Sequence, residues 1–177
     1  MRVDGKPYRT IWLAADGWSV EIIDQTRLPH RFEIERLSGL EDAAHAIRAM
    51  LVRGAPLIGA TAAYGMALAM REDSSDAGLD RAHTILMATR PTAVNLRWAL
   101  DDMRARLRNQ PHDSRVAIAY ERAAQVCDED VAINSAIGDH GLALIRSAFD
   151  AAPGDDPVNI LTPVSYTHLT LPTIYSV

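Results

Sequence analysis

The chain has 177 residues, 48% of them hydrophobic and 23% charged, with a net charge of −5. Length and composition fit one ordinary soluble globular domain, and the acidic balance gives no electrostatic case for nucleic acid or an anionic membrane as a partner. No apolar run reaches bilayer-spanning length, residues 1–6 hold no signal-peptide segment and the lone Cys127 excludes an intrachain disulfide, so the expected setting is the cytoplasm.

The first 37 residues read as strands. Residues 10–13 and 19–23 flank the turn signal Asp16-Gly17. Residues 31–37 alternate apolar and polar as a half-buried strand does. A small antiparallel meander follows from these three. At Ser38 the pattern turns helical. Ser38 with Glu41 three residues on fits a capping box, and Leu40, Ala44, Ile47 and Leu51 fall on one helical face.

A second helix is predicted from Pro56 to Arg71, a loop over residues 73–78 and a third helix over residues 79–88. A fourth follows Pro91, with Leu96, Ala99, Met103 and Leu107 on one face. Residues 109–113 break it. A long helical stretch then covers residues 114–151, with Gly138 and Gly141 as places for a bend. Cys127 lies within it, followed by three acids that would raise a thiol pKa; it reads as a packed core residue rather than a nucleophile. Pro153-Gly154-Asp155-Asp156-Pro157 marks a boundary, and residues 158–162 read as a short buried strand. Every charged residue lies at or before Asp156; residues 163–177 carry none and have no amphipathic period. That tail reads as foreign to the rest and is set aside from the functional argument.

Two stretches carry chemistry. In Val52-Arg53-Gly54-Ala55-Pro56 an arginine and a glycine precede a proline suited to open a helix. Gly54 suits the left-handed end of the preceding helix. Ala55 then falls near the N-cap, where it satisfies none of the free N–H groups. An uncapped helix start beside an arginine suits a phosphate. Thr89-Arg90-Pro91-Thr92 repeats the arrangement. Two planar guanidinium forks converging on one phosphate would bind it in pairs of hydrogen bonds. The same residues also fit a plain helix corner, with Gly59 and Gly65 serving only close packing and Arg90 solvated in a loop. The six histidines show no ligand spacing, so no metal and no other cofactor is expected.

With both stretches in view, residues 3–162 resemble the N-terminal half of the methylthioribose-1-phosphate isomerase family. Tyr8-Arg9-Thr10-Ile11-Trp12, the Arg53 stretch, Arg90-Pro91-Thr92-Ala93-Val94-Asn95-Leu96 and Asp130-Val131-Ala132-Ile133-Asn134 with Ile137-Gly138-Asp139-His140-Gly141 carry the likeness, in family order. The resemblance implies an α+β N-terminal domain, with a small antiparallel sheet (residues 1–37) followed by a helical bundle (residues 38–152). It implies a linker and first strand (residues 153–162) of a truncated Rossmann-like α/β domain. The implied activity is aldose–ketose isomerisation of 5-methylthioribose 1-phosphate in methionine salvage, by a cytoplasmic enzyme that is a homodimer at full length. Arg53, Gly54, Ala55 and Arg90 are then contacts to the phosphorylated pentose.

One departure matters. Where the family continues the strand at residues 159–162 into His-Cys-Asn-Ala-Gly with the catalytic cysteine, this chain has Pro163-Val164-Ser165. The catalytic pair is therefore expected downstream of Thr162 and none of it in this chain; Cys127 does not stand at that position. The alternatives are an isomerase of a related pentose 1-phosphate, a non-catalytic relative like the regulatory subunits of the translation-initiation guanine-nucleotide exchange factor, or a helical interaction module without a small-molecule site. Retention of Arg53-Gly54-Ala55 and Arg90-Pro91-Thr92 favours the enzyme.

Overall fold

The computed structural model describes residues 2–3, 5–152, 154 and 158–160. Val158, Asn159 and Ile160 carry no regular secondary structure, and the rest of the expected strand and the tail from residue 163 lie outside the described residues. The chain divides into two compact units, residues 1–132 and 133–177.

The first unit opens with a hairpin of β1 (Arg2–Val3) and β2 (Lys6–Pro7) that the alternation did not announce. The predicted meander follows as β3 (Ile11–Leu13), β4 (Val20–Ile23) and β5 (Ile34–Leu37), antiparallel in the order β3-β4-β5. Asp16 holds the β3–β4 turn by accepting from the N–H groups of Trp18 and Ser19 and from the Ser19 hydroxyl. One face of β4 is dry: Val20 and Ile22 are fully buried. On the other face Glu21 accepts from Trp12 Nε1 and from Arg36, each at 2.8 Å, and so ties all three strands. The half-buried alternation expected for β5 holds only at Leu37. Ile34, at the start of β5, is 43% exposed.

The helical part comprises α1 (Leu40–Arg48), α2 (Ala55–Glu72), α3 (Asp76–Met87), α4 (Val94–Arg108) and α5 (His112–Ala151). Every residue of α2 from Ile58 to Met70 is buried, and α1, α3 and α4 pack around it. A helix apolar on all sides is a central helix, and its Ala and Gly content lets its neighbours approach closely. An alanine Cβ at Gly65 would stand 2.9 Å from Ala43 Cβ and 3.1 Å from Leu86 Cδ1. Gly65→Ala gains about 1 kcal/mol of helix propensity but overpacks two interfaces, at about 1–3 kcal/mol. A net loss of about 1 kcal/mol is expected in a denaturant melt; a raised midpoint would mean that α1 and α3 give way freely.

Several helix ends differ from the sequence expectation. The N-cap of α1 is Gly39, not Ser38, and no side chain caps it as the box would. Instead Asp42 accepts from the Ser38 N–H, and Glu72 at the far end of α2 accepts from the Leu40 N–H at 3.1 Å. Leu51 falls past the end of α1. Part of the expected loop at residues 73–78 is the first turn of α3, capped by the Ser75 hydroxyl accepting from Gly78 N–H.

The buried face of α5 in this unit runs Arg115, Ala119, Arg122, Ala123, Val126 and Cys127. Tyr120 donates to the Trp18 carbonyl at 2.6 Å, and Arg71 lies 4.2 Å over the Trp18 ring; together they tie the β3–β4 turn to α2 and α5. Arg122 is 5% exposed and bonds Asp102 and Glu129, each at 2.6 Å.

In the second unit, the residues of α5 from Ile133 onward are exposed except the half-buried Gly141, with Ile133, Ile137, Leu142, Leu144, Ile145 and Phe149 among the exposed ones. The helix is unbroken through Gly138 and Gly141.

Candidate functional site at two uncapped helix starts

The connection from α1 to α2 builds the site. The left-handed residue that ends α1 is Met50, with φ 60°, not Gly54. Gly54 has φ 98° and is the N-cap of α2, so the helix starts one residue earlier than predicted, with Pro56 inside its first turn. A side chain at Gly54 would be strained at that φ, although the space a Cβ would enter is open. No side chain caps α2, and its first turn holds no acid. The first intrahelical bond is Ile58 N–H to the Gly54 carbonyl, so the N–H groups of Ala55 and Leu57 point out of the helix end.

The second arginine stretch folds differently from its expected form. Pro91 does not open α4. It occupies the second position of a β-turn closed by Ala93 N–H on the Arg90 carbonyl at 3.0 Å. The helix starts at Val94, with Ala93 as an N-cap lacking a side-chain bond. Both stretches thus end in a helix start that its own sequence leaves uncapped.

The two starts meet. Gly54, Ala55 and Ile58 from α2 line one recess of about 400 Å³ with Arg90, Ala93, Val94 and Asn95 from the α4 side. Close approach is set by Gly59, where a Cβ would stand 3.1 Å from the Asn95 carbonyl. Two helix dipoles with their positive ends at one recess favour an anion there. Of the predicted site residues, Gly54, Ala55 and Arg90 share this lining. Arg53, the neighbour of Gly54 in sequence, is exposed and not part of it. Asn95 is a polar lining residue that carried no assigned role, although it sits inside the quoted motif.

The arginines differ in their bonds. Arg104 and Arg108 hold Asp80, Arg115 holds Asp76, and Arg106 and Arg122 hold Asp102. Neither Arg53 nor Arg90 makes an ion pair or side-chain hydrogen bond among the described residues. Their guanidinium donors remain for a ligand or water.

A second cavity, of about 260 Å³, opens on the other side of the same helix start, between Pro56, Leu57 and Ala60 of α2, the segment from Tyr8 to Ile11, and Cys127, Asp130 and Val131 of α5. Arg9 pairs there with Asp128 at 2.6 Å. Burial pushes the Cys127 thiol up to about 11; Asp128 and Asp130 add to the shift and Arg9 opposes it. The following acids are therefore the lesser cause of a shift that was expected from them alone. At neutral pH the group is a thiol, inert as a nucleophile. Among the described residues no cluster of His, Cys, Asp or Glu could hold a metal ion, and no helix is long and apolar enough to cross a membrane.

The chain is similar to proteins already known. Residues 51–175 match the Initiation factor 2 subunit family. A protein of Paramagnetospirillum magneticum named methylthioribose-1-phosphate isomerase is 61% identical over 162 residues, which cover 92% of this chain and 44% of that protein. The chain therefore spans less than half the length of that relative. The crystal structure of 5-methylthioribose 1-phosphate isomerase from Pyrococcus horikoshii OT3 superposes with a TM-score of 0.65 at 38% identity, covering 71% of this chain and 37% of that one. The translation initiation factor eIF-2B subunit delta from A. fulgidus follows, with a TM-score of 0.64 at 34% identity, over 71% and 38% of the two chains.

Proposed function

The chain belongs to the Initiation factor 2 subunit family, and from that premise we propose that it is the N-terminal part of an aldose–ketose isomerase converting 5-methylthioribose 1-phosphate to 5-methylthioribulose 1-phosphate. The carrying observation is the recess where two uncapped helix starts meet Arg90. The name shared by the close bacterial relative and the Pyrococcus structure supplies the substrate class.

In this reading the phosphate sits on the Ala55 and Leu57 N–H groups with Arg90 donating from the opposite wall. Arg53 closes over it from the chain entering Gly54. A glycine at that bend leaves the approach to the N–H groups open. An aldose phosphorylated at its anomeric oxygen cannot open its ring simply, so the reaction needs managed proton transfer between C1 and C2. The residues described here contribute positioning, which lowers barriers by several kcal/mol when the fit is tight. Acid–base groups are expected downstream of Thr162, in a Rossmann-like domain whose linker and first strand are residues 153–162. In this reading the full-length protein acts in methionine salvage as a cytoplasmic homodimer.

A second reading, a non-catalytic regulatory subunit, draws on the near-equal likeness to the eIF-2B subunit. The test is turnover. The full-length parent is expected to convert 5-methylthioribose 1-phosphate, followed by NMR of the ketose product. A folded parent without turnover would favour the regulatory reading.

A further inference from the structure

We propose that the cavity between Leu57, Ala60 and Val131 receives the 5-methylthio group of the substrate, and so sets specificity at the end of the sugar opposite the phosphate. This rests on the isomerase reading above. A substrate with an anion at one end and a thioether at the other needs a charged recess and an apolar one within the length of a single sugar. The first turn of α2 lines one recess of each kind. Gly54, Ala55 and Ile58 face the recess of Arg90, while Pro56, Leu57 and Ala60 face the second cavity. Ala55 and Pro56 are adjacent, about 3.8 Å apart at Cα, so the two linings meet at consecutive residues.

The chemistry of the second lining suits a thioether. Ile11, Pro56, Leu57, Ala60 and Val131 give aliphatic wall, and Cys127 gives a soft, polarisable one. The cavity's 260 Å³ is far above the ~15 Å³ that one water requires. Its charged residues do not point to a second anion site, since Arg9 is held by Asp128 and Asp130 lies beside it in the lining. The thiol stays neutral because burial disfavours its ionisation. The apolar group is received by the aliphatic part of the lining, Ile11, Pro56, Leu57, Ala60 and Val131, and the charged residues Arg9 and Asp130 form the rest.

The test compares kcat/KM of the full-length parent for 5-methylthioribose 1-phosphate and for 5-deoxyribose 1-phosphate, which lacks the methylthio group. Ala60, 5% exposed, is replaced by leucine to fill the cavity. The preference for the methylthio substrate is expected to fall about tenfold or more, the range that one or two apolar groups in a pocket command. Leu57→Ala, which enlarges the cavity, is expected to raise the relative kcat/KM for a 5-propylthio analogue about tenfold. That second readout is a gain that a folding defect does not produce. An active parent whose preferences survive both substitutions overturns the cavity assignment alone. A parent inert toward both substrates overturns the isomerase reading and this inference with it.

Discussion

Alanine at both Arg53 and Arg90 in the full-length parent is expected to lower kcat/KM for 5-methylthioribose 1-phosphate by about 10²–10⁴-fold, with the fold intact. A hydrogen bond to a charged group contributes about 1.5–3 kcal/mol, and each 1.4 kcal/mol is tenfold. Each single change should therefore cost about ten- to a hundredfold. Arg90 lines the recess and Arg53 does not, so the Arg90 single variant should lose more. The two contacts share one phosphate, and their losses should not add simply. Stability should hardly move, because neither guanidinium bonds another described residue and Arg53 is exposed. Lysine at Arg90 should restore only part of the loss, since a point charge cannot reproduce the paired fork. Thermal melts and steady-state kinetics on the same preparations decide the matter. Wild-type kcat/KM in a folded double variant would remove the phosphate from this recess.

Local signals read well where the chain's own periodicity decides the outcome. The face of Leu96, Ala99, Met103 and Leu107 is buried as its spacing requires, and the β3–β4 turn falls on Asp16-Gly17. Helix ends read less well, because the groups that satisfy them come from elsewhere. Glu72 serves the start of α1 from 32 residues away, and nothing in Ser38-Gly39-Leu40-Glu41 announces it. Pro91 has the φ that a helix start needs, but the second position of a turn needs the same φ. Only the Ala93-to-Arg90 bond decides between them. The site itself was half legible. The Arg-plus-Pro repeat named Arg53, Gly54, Ala55 and Arg90, and the fold brings the last three, without Arg53, to one recess. The second cavity was not legible, since it joins the segment after β2, the first turns of α2 and the middle of α5. No spacing within any one of them predicts that meeting.

Arg115→Met is expected to destabilise the fold by about 3 kcal/mol, more than the other stability change argued above. Arg115 is 2% exposed and sits where the starts of α3 and α5 meet the end of α4. Its guanidinium donates to the carbonyls of Gln110, Ser74 and Arg108 and to Asp76 at 2.6 Å. Methionine keeps much of the side-chain volume but leaves these carbonyls without that donor. Each buried acceptor left unpaired costs about 1–3 kcal/mol, and partial access of water keeps the sum near the lower figures. The carboxylate is a smaller matter, because Asp76 is 57% exposed and water replaces its partner. Asp76 nevertheless gives the effect a pH signature. The hydrogen bond from Arg115 holds its carboxyl below the usual range in the folded protein. The unfolded chain then takes up this proton first as acid is added. The ion-pair contribution is therefore complete at neutral pH and is lost as pH falls through the folded pKa. The methionine variant has no such pair, so the stability gap between the two proteins should narrow in acid without closing, because the carbonyl bonds do not titrate. Denaturant midpoints at pH 7 and in the acid range measure both parts. A gap that does not change with pH would assign the whole effect of Arg115 to the carbonyls, and a gap that vanishes would assign it to Asp76.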